Sequence, residues 1–115
     1  MNTPRLSLTR SDAVSGGPQI LHLIGPLVMA TTADFQQWMR SEPAQTVILD
    51  FSEVPFIDSA GLGAVISVFL HFKQAGRKIA LSGMNEKCRA LMKMTNVEHL
   101  FQTFDSVDNA RKALA

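Results

Sequence analysis

Asp58 and Ser59 are the residues of this chain best placed to do chemistry. An apolar, β-branched run over residues 46–51 is followed by a shorter apolar stretch over 55–57. Asp58-Ser59-Ala60-Gly61 comes next, and then a long apolar segment. That succession puts Ser59 where a strand stops and a helix starts. The first N–H groups of a helix lack intrahelical partners, and the macrodipole adds partial positive charge there. Such a position accepts an anion, including a phosphate carried by the serine itself.

Four roles compete for Ser59. It can cap the helix, but Asp58 already offers a capping carboxylate. It can be a nucleophile, yet the nucleophile elbow has glycine two residues before and two after the serine. Gly61 fits that pattern and Ile57 does not. A triad also needs a histidine. His71 lies mid-helix, roughly three turns on, and His99 lies in the loop-like NVEHL stretch. It can belong to a phosphate-binding loop, but Gly61-Leu62-Gly63 has no third glycine and no following lysine. Those glycines fit close backbone approach and tight helix–sheet packing instead. The fourth role is a regulatory phosphorylation site. No residue is assigned a catalytic or metal-binding role, and no cofactor is expected.

A framework must hold this corner. Residues 5–10 alternate with period two, as a half-buried edge strand does. Ser15-Gly16-Gly17-Pro18 marks a turn. Residues 19–24 (QILHLI) read as the second strand of a hairpin, ended by Gly25-Pro26. His22 within it is an outward or satisfied core histidine, with no metal-spaced partner nearby. Thr31 or Thr32 caps a short helix over residues 34–40, whose apolar side is Phe35, Trp38 and Met39. Glu42-Pro43 stops it.

Residues 46–51 form a strand with little alternation, as expected when both faces are covered. A helix over residues 60–75 places Leu62, Val65, Ile66, Phe69 and Phe72 at spacings of three and four, and Gly76 ends it. Residues 78–81 form another buried strand. Asn85 caps a helix through Met94 with Cys88, Leu91 and Met92 inward. Residues 101–104 make a last strand, and Ser106 caps a last helix carrying Val107, Ala110 and Leu114. The order β-β-α-β-α-β-α-β-α gives an α/β fold: a mixed sheet with an N-terminal hairpin and about four α-helices. Sites in such sheets lie beyond the carboxyl ends of strands, where Asp58-Ser59 falls.

Composition narrows the classes. The 115 residues suit one domain, and an apolar content of 46% can build a core. The net charge of +1 carries no basic stripe, so nucleic acid is not an expected partner. The single cysteine, Cys88, falls at apolar spacing and reads as a packed side chain in a reducing compartment. The N-terminus has no continuous apolar core, and residues 60–72 are too few to span a bilayer. These features point to a cytoplasmic protein with no direct membrane insertion.

The segment 47–63, with its LDF strand, FIDSAGLG corner and apolar helix, resembles the signature of STAS domains. More narrowly, it resembles the bacterial anti-sigma factor antagonists. The likeness continues through Gly76-Arg77-Lys78-Ile79-Ala80-Leu81-Ser82-Gly83, the stretch NEKCRALMKMTNVEHLF and the ending FDSVDNARKAL. It is strongest over residues 19–114 and implies one STAS-like domain over residues 1–115. It also implies a phospho-switched binding module. The free form holds an anti-sigma factor that is also a serine-protein kinase of the histidine-kinase-like ATPase type. Phosphorylation of Ser59 by that partner releases it, and a serine phosphatase resets the system.

Carried onto this chain, the contact surface is Asp58, Ser59, Gly61, Leu62 and Gly63, with Leu62 an exposed apolar anchor on the first turn. Two features depart from the family. Gly25-Pro26-Leu27-Val28 stands where members often have Gly-Glu-Leu-Asp, so both acidic positions are missing, and the first helix is about a turn shorter. Other STAS domains are scaffold subunits of membrane lipid or anion transport complexes and do not switch by phosphorylation. The retained serine favours the switching branch.

Overall fold

Residues 19–24 and 46–53 place apolar side chains at successive positions, so both faces of their strands need cover. The computed structural model, which describes residues 3–11 and 17–114, has that arrangement. Five strands form one mixed sheet in the order β1 (Ser7–Arg10), β2 (Gln19–Ile24), β3 (Thr46–Glu53), β4 (Lys78–Ser82), β5 (Gln102–Phe104). β1 and β2 are antiparallel, and every later neighbour is parallel. Three helices make the crossovers: α1 (Thr32–Ser41), α2 (Ser59–Gln74) and α3 (Glu86–Met94). A fourth, α4 (Val107–Leu114), follows β5, and 3₁₀ turns lie at Met29–Thr31 and Glu98–Leu100. The expected α/β class, mixed sheet and element order are all present. The turn expected at Ser15-Gly16 lies outside the described residues.

One face of the sheet carries the main core. Leu21, Leu23, Val47, Leu49, Phe51 and Leu81 meet Phe35 and Met39 of α1, Leu62, Val65, Val68 and Phe72 of α2, and Cys88 and Met92 of α3. The opposite face is smaller. Ile20 and Ile48 pack on Ala110 of α4, flanked by Phe104, Val107 and Leu114. Val47, Ile48 and Leu49 are all fully buried, which explains the absence of alternation in β3.

Local chemistry sets the helix ends. After α2, Gly76 takes φ +72°, donates to the Lys73 carbonyl, and lets the Arg77 N–H reach Phe72 O at 2.8 Å. That is a Schellman motif, and glycine adopts its left-handed residue without a Cβ penalty. The Arg77 guanidinium then stacks 3.9 Å from the Phe72 ring centre and donates to the carbonyls of Glu42 and Ala44. Asn85 caps α3 by accepting the Cys88 N–H at 3.0 Å, as expected. Ser106 accepts the Asn109 N–H at 3.1 Å and starts α4.

The start of α1 departs from expectation. The helix begins at Thr32 rather than Asp34, and neither threonine caps it. Thr31 is buried, and its hydroxyl donates to the Pro26 carbonyl at 3.0 Å and accepts the Val28 N–H at 3.0 Å. It closes the preceding 3₁₀ turn instead. Glu42 does stop the helix, with extended backbone, and its buried carboxylate meets the Arg10 guanidinium at 3.1 Å.

Candidate functional site: the corner at Asp58

The chain leaves β3 at Glu53 and runs beside the segment that leaves β2. Gly25 N–H donates to Glu53 O at 3.0 Å, Leu27 N–H to Phe56 O at 3.2 Å, and Asp58 N–H to Leu27 O at 3.3 Å. The short apolar stretch at 55–57 therefore contributes a single parallel bridge, Leu27 to Ile57. Residues 24–29 and 53–58 form one two-stranded ledge beyond the carboxyl end of the sheet.

Asp58 joins that ledge to two helical segments. Its backbone is extended, and Oδ1 accepts the Gly61 N–H at 2.8 Å, which caps α2. Oδ2 accepts the Met29 N–H at 3.0 Å, so the same carboxylate holds the 3₁₀ turn ahead of α1. Asn85 buttresses the ledge from the other side. Its amide donates to the carbonyls of Val54 and Pro55 at 3.3 and 3.0 Å while its oxygen caps α3.

Ser59 is the first residue of α2 and is exposed. With Asp58 as the cap, its hydroxyl has no hydrogen-bond partner among the described residues. The plain-cap role therefore belongs to Asp58. His71 stands 12 residues along the helix, about 18 Å at 1.5 Å per residue, and His99 lies in the Glu98–Leu100 turn. Neither can serve Ser59 as a base.

The five residues expected at the contact surface do not all reach it. Asp58, Ser59 and Gly63 lie at the surface or its edge. Gly61 is buried, and a Cβ there would sit 2.0 Å from the Leu27 carbonyl oxygen. Its role is to let α2 touch the ledge backbone. Gly63 meets nothing within 4 Å and leaves bare helix surface on the first turn. Leu62 corrects the expectation outright: it is 5% exposed and belongs to the main core. Its spacing with Val65 and Phe72 already placed it on the inward stripe, and the turn geometry keeps it there.

The apolar side chains that do face solvent here were missed. Met29 is 74% exposed, Phe56 46% and Ile24 39%, and all three belong to the ledge. Neither ledge segment contains a lysine or arginine.

A serine–histidine–aspartate chain, Ser11–His22–Asp50, lies on the α4 face of the sheet. His22 Nδ1 is 2.7 Å from Asp50 Oδ2, and its other ring nitrogen pairs with the Ser11 hydroxyl. Ser11's own N–H is engaged by the Ile20 carbonyl at 3.0 Å, so it is not free to donate to an oxyanion. The chain ties β1, β2 and β3 together. Burial pushes the Asp50 carboxyl up, but the Ser52 N–H and His22 hydrogen bonds outweigh it and hold the group below the usual carboxylate value. Cys88 is buried, which raises its thiol against the opposing Asn85 hydrogen bond, as befits a packed side chain. Among the described residues no group of three or more His, Cys, Asp or Glu could hold a metal ion, and no helix is long and apolar enough to cross a membrane.

Known proteins share this architecture. A Thermotoga maritima protein provisionally named an anti-sigma factor antagonist is 26% identical over 80 residues, covering 66% of this chain and 71% of that one. A crystal structure of a Thermotoga maritima protein under the same provisional name superposes with a TM-score of 0.81 at 20% identity, over 93% of each chain. The phosphorylated form of the Bacillus cell fate determinant SpoIIAA gives 0.70 at 15% identity, over 96% of this chain and 100% of that one. A sulfate transporter family protein from Wolinella succinogenes gives 0.76 at 22%, over 90% and 88%. At these identities the structural likeness is one of fold. The STAS domain pattern matches residues 10–110, nearly the whole length over which the sheet, its helices and the Asp58 corner are built, and this chain belongs to the STAS domain family.

Proposed function

We propose that this protein is a binding module switched by phosphorylation of Ser59. In the free-hydroxyl form it captures an anti-sigma factor that is itself a serine kinase of the histidine-kinase-like type. Transfer of phosphate to Ser59 dissolves the complex, and a phosphatase restores it. One observation carries the reading: Asp58 does the capping, so the Ser59 hydroxyl is exposed and unbonded at a helix start. The names of the Thermotoga relative and of phosphorylated SpoIIAA support it.

The chemistry of release follows from charge. Phosphate adds roughly −1.5 to −2 charge at neutral pH. The end of α2 accommodates part of it, and no lysine or arginine in the ledge segments neutralises the rest. A partner fitted to a neutral hydroxyl would then have to accept a dianion beside Asp58. Met29 and Phe56 take the anchoring role expected of Leu62, since exposed apolar side chains fill partner pockets. Gly61 and Leu62 act from within, by setting the height of α2 against the ledge.

The fold likeness to the Wolinella protein keeps a second reading in view: a scaffold subunit of a transport complex without phosphorylation. The two are separated by incubating the chain with purified histidine-kinase-like anti-sigma factors of its host and ATP. Phosphate on Ser59, located by mass spectrometry and abolished in Ser59→Ala, supports the switch. A partner captured without any phosphate transfer supports the scaffold.

A further inference from the structure

We propose that the groove between α1 and α2 binds a small amphipathic carboxylate. The groove has a volume of 220 Å³ and lies along the outer seam of the two helices. Gln36 and Arg40 stand one turn apart on α1, and Ser67 and His71 one turn apart on α2, so two i,i+4 polar pairs face each other across it. Met39, Val68 and Phe72, all buried, make its floor. Among the described residues none of the four polar side chains has a hydrogen-bond or ion-pair partner, and no acidic side chain lines the groove.

That combination selects a ligand class. Arg40 supplies a permanent positive charge in a fork that matches a carboxylate, and the amide, hydroxyl and imidazole can complete its hydrogen bonding. The apolar floor takes a hydrocarbon body. An enclosed apolar cavity of about 150 Å³ holds benzene, so 220 Å³ leaves room for one ring and its anionic group. Ser67 is eight residues beyond Ser59, about 12 Å along the helix, so the site is separate from the corner and does not rest on the switch reading.

The test is a titration of benzoate, and in parallel of its uncharged analogue benzamide, into the isotope-labelled full chain, read by amide chemical shifts. Saturable shifts from benzoate confined to residues 36–40 and 67–72, at about millimolar affinity for so small a ligand, are expected. Benzamide is expected to bind about tenfold more weakly or worse, and Arg40→Gln to lose a similar factor without a change in Tm. Arg40→Lys should recover part of it. Benzoate shifts that do not saturate, that map elsewhere, or that benzamide reproduces at equal concentration would overturn the proposal, as would unchanged affinity in a folded Arg40→Gln.

Discussion

The corners that start α2 and α3 are built on the same plan and differ in where the negative charge sits. Each follows a parallel strand, and each helix is capped by an Asx side chain that accepts the N–H three residues on, at 2.8 Å for Asp58 and 3.0 Å for Asn85. Each cap uses its second polar atom to tie down a neighbouring loop, Asp58 at Met29 and Asn85 at Val54 and Pro55. The residue after the cap is Glu86 in α3 and Ser59 in α2. Glu86 gives α3 the anion that its dipole favours. α1 and α4 also carry an acidic residue in their first turns, whereas α2 has none. At α2 the negative charge is the capping carboxylate of Asp58 itself, and a phosphate on Ser59 would add a second one directly beside it. If the fold holds with that added charge, its consequence falls on what docks there.

Substitutions at the α2 corner should separate structural from docking roles. The largest effect is expected from Leu62→Asp, which buries a carboxylate against the core and should leave no cooperative unfolding transition by circular dichroism. A stable Leu62→Asp with weakened binding would return Leu62 to the surface role. Gly61→Ala forces a methyl group onto the Leu27 carbonyl and should cost about 3 kcal/mol in denaturant unfolding. Gly63→Ala, in open space on the same turn, should instead gain about 0.5–1 kcal/mol. Equal effects at the two glycines would contradict the close approach of helix and ledge.

Cap removal tests the likeness of the corners. Asp58→Ala and Asn85→Ala should each cost about 1–2 kcal/mol, while Ser59→Ala should change stability by less than about 0.5 kcal/mol. A cost for Ser59→Ala matching the caps would make Ser59 a structural residue.

The smallest effect concerns the other face of the sheet. Asp50 is held below its unfolded-state value, so its contribution is fully present above the ordinary carboxylate pKa of about 3.9 and is lost as pH falls through the folded value. Asp50→Asn should lower stability above about pH 4, where that contribution is present, and converge on wild type at lower pH, so that the acid limb flattens. An unaltered acid limb would show that the Ser52 and His22 hydrogen bonds to Asp50 do not persist in solution.

Much of this was legible from residue order. The apolar runs 19–24 and 46–51, the Asp58-Ser59 junction, the Asn85 and Ser106 caps and the Gly76 stop are local signals, and each lies where expected. What escaped depends on contacts between distant segments. The second hydrogen bond of Asp58 reaches back 29 residues, and the Arg10–Glu42 pair spans 32. Met29 and Phe56 sit in short irregular stretches with no period to say which way they face. Leu62 is different: its spacing marked it as inward, and its nearness to Ser59 argued the other way. Helix geometry decided between them.

The central claim is that Ser59 controls docking and not folding. Its direct test is a calorimetric titration of wild type, Ser59→Ala and Ser59→Asp with the purified kinase-type partner, alongside their unfolding temperatures. The account predicts similar Tm values for all three, wild-type affinity for Ser59→Ala, and an affinity at least about thirty-fold weaker for Ser59→Asp. Equal affinity for Ser59→Asp and wild type would contradict it.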